Sequence, residues 1–386
     1  MMKVLNVNHL LDPVSGGGTA ERTFQMSRFL ASAGVDTTIL TLDEGLDRQR
    51  LRTVGNVKVV ALPLLLRRFF LPRCRFAEIR KLVAAADIVH LMGHWTVLNA
   101  LVYRAIRQER KPYVVCPAGA LPIYGRSKLL KRAYNLLVGQ SIISRANLHI
   151  AITGNEIPQF EQYGVGAARV AVVPNGIASA DFTAQDDQGF RNRFGLGGKP
   201  FILFMGRLNH IKGPDLLLEA FVAASERLPQ HNLVFAGPDG GMLSALRETA
   251  CSSRLADRVH FIGYLDAVEK VHAYHAADFL VIPSRQEAMS IVVLEAGACA
   301  TPVLMTDQCG FGCLDEIDGG LVVEASVAGI AAGLSKLAAC EATELETMGN
   351  NLRRYVLDHY EWGAIISRYL KIYRQLLAAA NNQDGK

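Results

Sequence analysis

Long hydrophobic runs are missing from this chain of 386 residues, although half of its residues are hydrophobic. The run at residues 60–66, for example, contains a proline and is followed by Arg67 and Arg68, whereas a helix that spans a bilayer needs about 20 apolar residues. The first residues, MMKVLNVNHLLDP, contain one lysine and no small-residue cleavage site. They predict a first strand and not a signal peptide. We therefore expect no transmembrane helix and a cytoplasmic protein.

Paired cysteines are missing as well. The seven cysteines form an odd set with no CxxC pair, and Cys309 and Cys313 have neither nearby histidines nor a second pair. Disulfide frameworks and zinc sites both depend on such pairs. The sequence therefore predicts reduced thiols in the core, with neither disulfides nor zinc.

Negative charge is scarce in the first half of the chain. Residues 1–178 carry 23 Lys and Arg against 11 Asp and Glu, a net charge of +12, and the remaining residues carry 18 against 25, a net charge of −7. Two clusters of cations lie at residues 67–81, interleaved with phenylalanines, and at 126–132. Cations mixed with aromatic residues suit an anionic membrane surface, and a solvated basic face is the alternative. No nucleic-acid-binding module is recognisable, so we expect no nucleic acid partner.

Strand-like apolar runs alternate with helical patterns along the whole chain. Such alternation predicts an α/β fold with parallel, doubly wound sheets, and the chain is too long for one core. We expect two Rossmann-like domains, residues 1–178 and 196–360, facing an interdomain cleft. The periodicity breaks between Asn175 and Lys199, at Asn-Gly and at residues 186–189 and 195–198, which predicts the joint between the domains. Residues 361–386 predict a terminal helix that packs either across both domains or on one of them.

A glycine-rich segment at residues 16–18 follows the first predicted strand and opens a helix. Consecutive glycines let the backbone approach a ligand closely, and a helix N-terminus offers unpaired N–H groups to an anion. The spacing is not that of the dinucleotide motif GxGxxG. We predict that Gly17 and Gly18 shape a sugar or phosphate pocket; a tight turn without a ligand is the alternative.

Two cations follow the predicted strand 201–205, in the sequence GRLNHIKG at residues 206–213. Arg207 and Lys212 are flanked by glycines at a strand-to-helix junction. Two cations placed there can hold a diphosphate leaving group and neutralise the charge that develops as its bond breaks. Two ordinary surface cations are the alternative.

Later strand ends carry Gly237, Tyr264 and a pair of carboxylates. Glu287 is predicted in the loop after the strand 279–283, and Glu295 about two turns further on, inside the helix that follows. Open α/β sheets bind ligands at the carboxyl ends of their strands. A ligand about 10 Å long could therefore touch both carboxylates, with a nucleobase across Tyr264. Two solvated helix carboxylates are the alternative.

The segments GRLNHIKGPDLLLEAF and PSRQEAMSIVVLEAGACATPVLMTDQCG contain the spacing Glu-x7-Glu. With them the chain resembles the retaining nucleotide-sugar glycosyltransferases of the GT-B fold, in the large bacterial group known as family 4 or group 1. The resemblance covers most of the chain and is strongest over residues 201–310.

This resemblance implies roles for individual residues. Arg207 and Lys212 would hold the donor diphosphate, Glu295 would bond the ribose, and Glu287 would face the donor sugar. The loop at residues 16–18 would form part of the sugar and acceptor side. The resemblance also implies that no metal or other cofactor is needed, which agrees with the lack of an Asp-x-Asp pair.

The chain departs from the family pattern at two places. The family usually has Glu-Gly-Phe-Gly where this chain has EAMS at residues 287–290, so we expect the backbone N–H groups offered to the sugar to be more tightly constrained. Related sequences often carry a histidine in a Pro-His-Gly context where this chain has Ala118. His94 is the nearest replacement; a structural histidine packed on Trp95 is the alternative.

The expected protein is a retaining glycosyltransferase that moves a hexosyl group from a nucleotide diphosphate sugar to a hydroxyl group. GDP-mannose is the preferred donor, or else a UDP-sugar, and the acceptor is a glycan or a lipid-linked molecule in surface polysaccharide, lipopolysaccharide or glycolipid synthesis, with the enzyme at the inner face of the membrane. The alternatives are a nucleotide-sugar epimerase on the same fold and an inactive nucleotide-sugar-binding protein. The candidate catalytic residues are Arg207, Lys212, Glu287 and His94, and the candidate donor-binding residues are Gly17, Gly18, Gly206, Gly237, Tyr264, Ala288, Met289, Ser290, Ile291 and Glu295.

Overall fold

The computed structural model describes residues 1–123 and 127–384, so Arg126 of the second basic cluster lies outside the described residues. The chain forms two compact units. The first consists of Met1–Gly176 together with the chain from Trp362 onward, and the second of Ile177–Glu361. Each unit has its own hydrophobic core.

Parallel strands form the centre of the first unit. They are β1 (Lys3–Val7), β2 (Asp36–Leu42), β3 (Lys58–Leu62), β6 (Ile88–Met92), β7 (Tyr113–Cys116), β8 (Leu148–Ala151) and β9 (Val170–Val172), with a short antiparallel pair, β4 (Leu64–Leu66) and β5 (Leu71–Pro72), outside the main sheet. The sheet order is β3-β2-β1-β6-β7-β8-β9. The central strand β6 is buried along its whole length, as expected for a parallel strand covered on both faces.

Helices connect these strands. They are α1 (Pro13–Ser32), α2 (Arg48–Arg52), α3 (Phe76–Ala85), α4 (Val97–Glu109), α5 (Lys128–Tyr134), α6 (Gln140–Ser144) and α7 (Ile157–Glu161), and a π-helical turn, Asn135–Gly139, joins α5 to α6. In α4, for example, Thr96 accepts a hydrogen bond from the Asn99 N–H at the first turn, and the buried side chains Leu98, Val102 and Ile106 recur at helical spacing.

The second unit contains a six-stranded parallel sheet. Its strands are β10 (Phe201–Met205), β11 (Asn232–Ala236), β12 (Val259–Gly263), β13 (Phe279–Ile282), β14 (Val303–Thr306) and β15 (Gly320–Val323), in the order β12-β11-β10-β13-β14-β15. Its helices are α8 (Asp187–Arg193), α9 (Pro214–Ala223), α10 (Leu243–Ser252), α11 (Ala267–Ala276), α12 (Ile291–Ala298), α13 (Val327–Ala338) and α14 (Ala342–Tyr360). The order reverses direction between β10 and β13, and loops after these two strands are therefore expected to frame a binding site.

The last helix, α15 (Trp362–Asp384), belongs to the first unit. The sequence left open whether this helix crosses both domains. Within the first unit, the Tyr369 hydroxyl lies 2.6 Å from Arg22 Nη2, and the Tyr373 hydroxyl lies 2.7 Å from His90 Nδ1. These buried polar contacts, together with stacking of Trp362 on Phe29, account for its position.

The division between the units, at Gly176 and Ile177, lies inside the interval 175–199 predicted for the joint. The loop predicted at residues 186–189 is wrong, because Asp187–Arg193 is helical. The Asp186 carboxylate accepts a hydrogen bond from the Gly189 N–H at 2.9 Å and so caps α8. The sequence Asp-Asp-Gln-Gly predicted a loop, but an aspartate before a helix is equally a cap. Residues 179–195, left outside both predicted domains, belong to the second unit, and so do residues 177 and 178, which were predicted in the first.

The glycine-rich segment is mostly helical, which corrects the predicted turn. α1 begins at Pro13, and the Asp12 carboxylate accepts hydrogen bonds from the N–H groups of Val14 and Ser15. The helix is interrupted at Gly17, whose φ of 57° and ψ of −144° lie outside the helical region. Glycine adopts this conformation without the steric penalty of a side chain, so Gly17 and Gly18 lie at a kink near the start of α1.

Candidate active site

Strands β10, β11 and β12 end side by side in the second unit, and glycines let their ends approach closely. The Gly206 N–H donates to the Ala236 carbonyl at 2.9 Å, and the Gly237 N–H donates to the Gly263 carbonyl at 2.7 Å. A Cβ atom at Gly237 would lie 1.9 Å from the Gly206 carbonyl oxygen. Only glycine fits at position 237, which brings two predicted donor-binding residues together.

Arg207 and Tyr264 lie on the same edge. Arg207 follows Gly206, and the next residue, Leu208, pairs with Asp239 in a short parallel bridge, so the loop carrying Arg207 is held against the loop after β11. Tyr264 follows β12 and is half exposed. An aromatic face open to solvent at this edge could stack on a nucleobase.

Lys212 and Glu287 form an ion pair between loops 75 residues apart. Lys212 Nζ lies 2.5 Å from Glu287 Oε1, and the Ser284 hydroxyl donates to the same oxygen at 2.6 Å. The Lys212 side chain is 30% exposed and that of Glu287 is 9% exposed. Thr306 in turn donates to the Ser284 carbonyl at 2.6 Å. The structure thus brings together two predicted catalytic residues and adds Ser284, which the sequence reasoning missed.

A second ion pair holds the Lys212 loop in place. The Arg285 guanidinium binds both carboxylate oxygens of Asp215, at 2.8 and 2.6 Å, and also the His210 carbonyl at 2.8 Å. Burial opposes ionisation of Asp215, but the hydrogen bonds and charge of Arg285 outweigh it and lower the pKa of this carboxyl. Gly213, with a φ of +67°, lies so close to the Pro283 carbonyl that a Cβ would be 2.0 Å from its oxygen. We infer that Arg285 is a positioning residue, which the sequence reasoning also missed.

The loop at residues 287–290 is bonded to the loop after β14. The Glu287 N–H donates to the Gln308 carbonyl at 2.9 Å, and the Ser290 N–H donates to the Cys309 carbonyl at 3.2 Å. A Cβ at Gly310 would lie 1.9 Å from the Ala288 carbonyl oxygen. Within the loop Ala288 is half-buried, while Met289 and Ser290 are buried, and Ile291 starts α12.

Glu295 lies on α12 and is almost enclosed, with 8% of its side chain exposed. Lys270 Nζ lies 2.6 Å from Glu295 Oε1, and the Tyr274 hydroxyl donates to Glu295 Oε2 at 2.7 Å. Burial, with the neighbouring Glu295 carboxylate, raises the pKa of Tyr274 far above its ordinary value, so the hydroxyl keeps its proton. Lys270 and Tyr274 were missed, although their spacing of four residues puts both on one face of α11.

His94 lies in the interior of the first unit. Its ring is 1% exposed and packs edge-on against Trp95, Tyr134 and Tyr163. Nε2 donates to Asn135 Oδ1 at 3.0 Å, because that oxygen can only accept. This packing corresponds to the structural alternative that the sequence left open. Ala118, which stands where related sequences often carry the histidine, adopts a φ of +50°.

Acid is expected to destabilise the first unit, because burial lowers the pKa of His94 to about 4, that of His9 to about 4 and that of His90 to about 3. Between pH 6.5 and 4 the unfolded chain binds protons at these positions that the folded chain does not bind. Stability is therefore present above pH 6.5 and lost as pH falls, by up to about 1.4 kcal/mol per pH unit for each histidine.

Calorimetry at pH 7, 6 and 5 checks this expectation. The midpoint should fall with pH, and His94→Asn should flatten that dependence, whereas the exposed His359→Asn should not. Equal midpoints at pH 7 and pH 5 would contradict it.

Two family models match the chain. The model described as "Glycosyl transferase 4-like domain" matches residues 17–176, and the model described as "Glycosyl transferases group 1" matches residues 186–355. The D-inositol 3-phosphate glycosyltransferase of Actinosynnema mirum is 31% identical over 294 residues, which cover 69% of this chain and 70% of that protein. The chain belongs to the group 1 glycosyl transferases.

Another curated relative is matched over less of its length. The D-inositol 3-phosphate glycosyltransferase of Gordonia bronchialis is 28% identical over 261 residues, covering 64% of this chain, and the match spans only 56% of that relative.

Among solved structures, Anabaena Alr3699/HepE in complex with UDP and glucose superposes with a TM-score of 0.81 at 18% identity, covering 97% of this chain and all of the other. This likeness shows the fold and confirms the predicted two-domain GT-B architecture.

Two features of this group 1 glycosyl transferase bear on membranes and metals. Among the described residues, no helix has the length and apolar character that crossing a bilayer takes. The same part of the chain contains no group of three or more His, Cys, Asp and Glu side chains placed to hold a metal ion. Metal independence stays a prediction from the family resemblance.

Proposed function

We propose that the protein transfers a hexosyl group from a nucleotide diphosphate sugar to a hydroxyl group, with retention at the anomeric carbon. The observation that carries this proposal is the Lys212–Glu287 pair at the ligand-binding edge of the second sheet. An ammonium group has three N–H donors, and Glu287 uses one of them. The others are available to oxygens of the donor diphosphate.

In the proposed reaction the acceptor oxygen forms a bond to the anomeric carbon while the bond from that carbon to the diphosphate breaks. Both events occur on the same face of the sugar, and the acceptor proton passes to the leaving phosphate oxygen. Arg207 and Lys212 stabilise the negative charge that develops there. Glu287, held by Ser284, accepts a hydrogen bond from a hydroxyl of the donor sugar.

Glu295 is proposed to bind the ribose. A carboxylate has about four acceptor positions, of which Lys270 and Tyr274 use two. The remaining positions suit the paired hydroxyls of a ribose. Because both protein partners hold the carboxylate, it is oriented before the donor arrives, which lowers the entropy cost of binding.

The donor is proposed to be GDP-mannose, the preference from the sequence, or a UDP-sugar, which is supported by the UDP and glucose in the Anabaena structure. The acceptor is proposed to be a hydroxyl of a glycan or lipid-linked molecule in surface polysaccharide or glycolipid synthesis. The net charge of +12 over residues 1–178 suits an anionic acceptor, such as the inositol phosphate in the names of the curated relatives, and an anionic membrane surface.

Thermal shifts with UDP-, GDP-, ADP- and dTDP-sugars test this function. A ligand at about 100 times its dissociation constant adds about 2.7 kcal/mol of stability, so the correct nucleotide should raise the midpoint by several degrees. We expect Glu295→Gln, which keeps an acceptor for Tyr274, to lose most of that shift relative to its own unliganded midpoint.

The exposed Glu248→Gln on α10 is the matched control and should keep the full shift. No shift with any of the nucleotide sugars would refute the proposed donor class. For the ligand that binds, release of free nucleotide in the presence of acceptor, with the product linkage read by NMR, separates a retaining transferase from an epimerase.

A further inference from the structure

An exposed row of leucines marks the helical segment formed by α5, the π-helical turn and α6, residues 128–144, which we term the leucine-faced segment. Leu129, Leu130, Leu136 and Leu137 are 79%, 55%, 87% and 82% exposed. Their spacing of seven residues, 129 to 136 and 130 to 137, puts them on one side of the helix. Contiguous apolar surface of this kind marks an interaction site rather than ordinary surface variation.

The opposite side of the segment is firmly attached to the first unit. The Tyr134 hydroxyl donates to the Thr96 carbonyl at 3.0 Å, and the Asn135 amide donates to the Tyr163 hydroxyl at 2.8 Å. Asn135 also accepts the hydrogen bond from His94, and this asparagine starts the π-helical turn that carries Leu136 and Leu137. π-Helical turns are rare and are frequent at functional sites. The hydrogen bonds on the attached side of the segment therefore fix the exposed leucines on the opposite side.

Cations accompany the exposed leucines. Lys128 and Arg132, one helical turn apart, are both exposed, and Lys131 lies 5.4 Å from the centre of the Trp95 ring. A helix that carries leucines and cations together is typical of segments that lie in the interface of an anionic membrane. A second copy of the chain using the same face would bring these cations close to their own equivalents, whereas lipid phosphates would neutralise them.

Part of the first basic cluster, residues 67–81, is engaged in ion pairs within its own unit. Arg67 pairs with Glu44 at 2.6 Å, and Arg80 pairs with Glu109. Phe70 and Phe76, which the sequence placed among these cations, pack against the hydrophobic core. The leucine-faced segment thus offers a larger exposed apolar surface than the first basic cluster does.

We propose that the leucine-faced segment docks the protein on a bilayer of anionic lipids, with Leu129, Leu136 and Leu137 in the acyl boundary and the cations at the phosphates. Its base contacts Thr96, which follows β6, and Trp95, whose indole N–H donates to the Ala120 carbonyl after β7. The docked face therefore adjoins the carboxyl edge of the first sheet. This inference deepens the proposed function and rests on it for one point, the delivery of a lipid-linked acceptor to that edge.

Vesicle flotation of the full chain tests the docking. Wild-type protein should float with phosphatidylcholine vesicles that contain phosphatidylglycerol, and binding should fall about fivefold for each cation removed in Lys128→Ala and Arg132→Ala. Leu136→Ser/Leu137→Ser should lower binding tenfold or more, because two exposed apolar side chains no longer enter the membrane. Both leucines are exposed, so this variant should keep the wild-type melting midpoint.

Leu65→Ser/Leu66→Ser is the matched control, since these leucines are also exposed in the first unit, at 60% and 46%. It should keep at least half of the wild-type binding. Equal losses in both double variants, or wild-type binding by Leu136→Ser/Leu137→Ser, would overturn the proposal. A wild-type dimer that becomes monomeric in Leu136→Ser/Leu137→Ser and fails to float would instead identify a second copy as the partner.

Leu137→Trp gives a direct optical readout. The two native tryptophans, Trp95 and Trp362, are half-buried and buried, so the new indole would be the exposed one. Its emission should shift to the blue and be quenched by brominated lipid on anionic vesicles. If the emission does not shift while nucleotide sugars still raise the melting midpoint, the docking is rejected and the proposed transferase function stands. If the emission shifts to the blue but no nucleotide sugar binds, the docking stands and the proposed transferase function is rejected.

Discussion

Replacement of Lys212 by alanine is expected to lower kcat by about 10²–10³-fold, the usual effect of removing one group that stabilises charge in the transition state. Lys212 Nζ is fixed 2.5 Å from Glu287 by a loop that Arg285 and Asp215 hold. The cation is therefore in position before the leaving group acquires charge. KM for the donor should change less than kcat, because the charge on the diphosphate grows as its bond breaks.

The measurement is initial-rate kinetics with the donor identified by thermal shift. Lys212→Arg keeps the charge but not the shape of the ammonium group, so it should recover part of the lost kcat. Lys336→Ala, on α13 of the same unit, is the control and should behave as wild type. Wild-type turnover by Lys212→Ala would remove Lys212 from the proposed mechanism.

Much of the second-unit site could be predicted because its residues follow buried parallel strands. β10 and β13 are apolar and bounded by glycine or proline, so the residues after them, including Lys212 and Glu287, were expected at one edge. The ion pair itself could not be predicted. It depends on β10 and β13 being neighbours in the sheet, and the order of strands is set by tertiary packing that local periodicity does not encode.

The residues that the sequence reasoning missed act through other side chains. Lys270 and Tyr274 lie inside a helix with a capping box at Asp266 and Glu269, and nothing in that helix sequence indicates that they face Glu295. The role of Arg285 could not be identified from the sequence either, since its partner Asp215 is 70 residues away. Such pairs form only once separate elements pack together, so their contacts are a property of the fold.

His94 is a residue that the sequence singled out but whose surroundings it did not reveal. Its position after a strand suggested catalysis, with packing on Trp95 as the alternative. The contacts with the rings of Tyr134 and Tyr163 could not be foreseen, because those residues are distant in the sequence. The segment bonded to it, residues 128–144, appeared in the sequence only as a basic cluster. Its exposed leucines became visible once the structure showed which side of the helix is attached.

Replacement of Arg22 by alanine is expected to destabilise the first unit by at least about 3 kcal/mol. Arg22 lies on α1 and is 1% exposed. Its guanidinium donates to the carbonyls of Val173 and Pro174 and to Asn175 Oδ1, each at 2.8 Å, and to the Tyr369 hydroxyl at 2.6 Å. Removing it leaves three buried acceptors and one part-buried acceptor, the Pro174 carbonyl, without their charged donor. Each loss at a buried acceptor costs about 1–3 kcal/mol.

The arrangement also explains why the last helix stays with the first unit. Arg22 binds residues 173–175, where the chain leaves this unit, and Tyr369, on the helix that returns to it. The buried Arg22 guanidinium therefore connects α1 both to the segment with which the chain leaves this unit and to the helix with which it returns. We expect Arg22→Ala to release α15 before the rest of the unit unfolds, since Arg22 binds Tyr369 in the buried part of that helix, where Tyr373 also contacts His90.

Hydrogen exchange measured by mass spectrometry can locate this release, whereas a single free energy of unfolding is poorly defined for a two-domain chain. Amides of α15 should exchange at least tenfold faster in Arg22→Ala, while those of α14 in the second unit keep wild-type protection. Tyr369→Phe, which removes one hydrogen bond, should give a smaller effect of about 1.5–3 kcal/mol. The exposed Arg374→Ala on α15 is the matched control and should give little effect. Wild-type protection of α15 in Arg22→Ala would show that apolar packing around Trp362 and Tyr373 is sufficient to hold the helix.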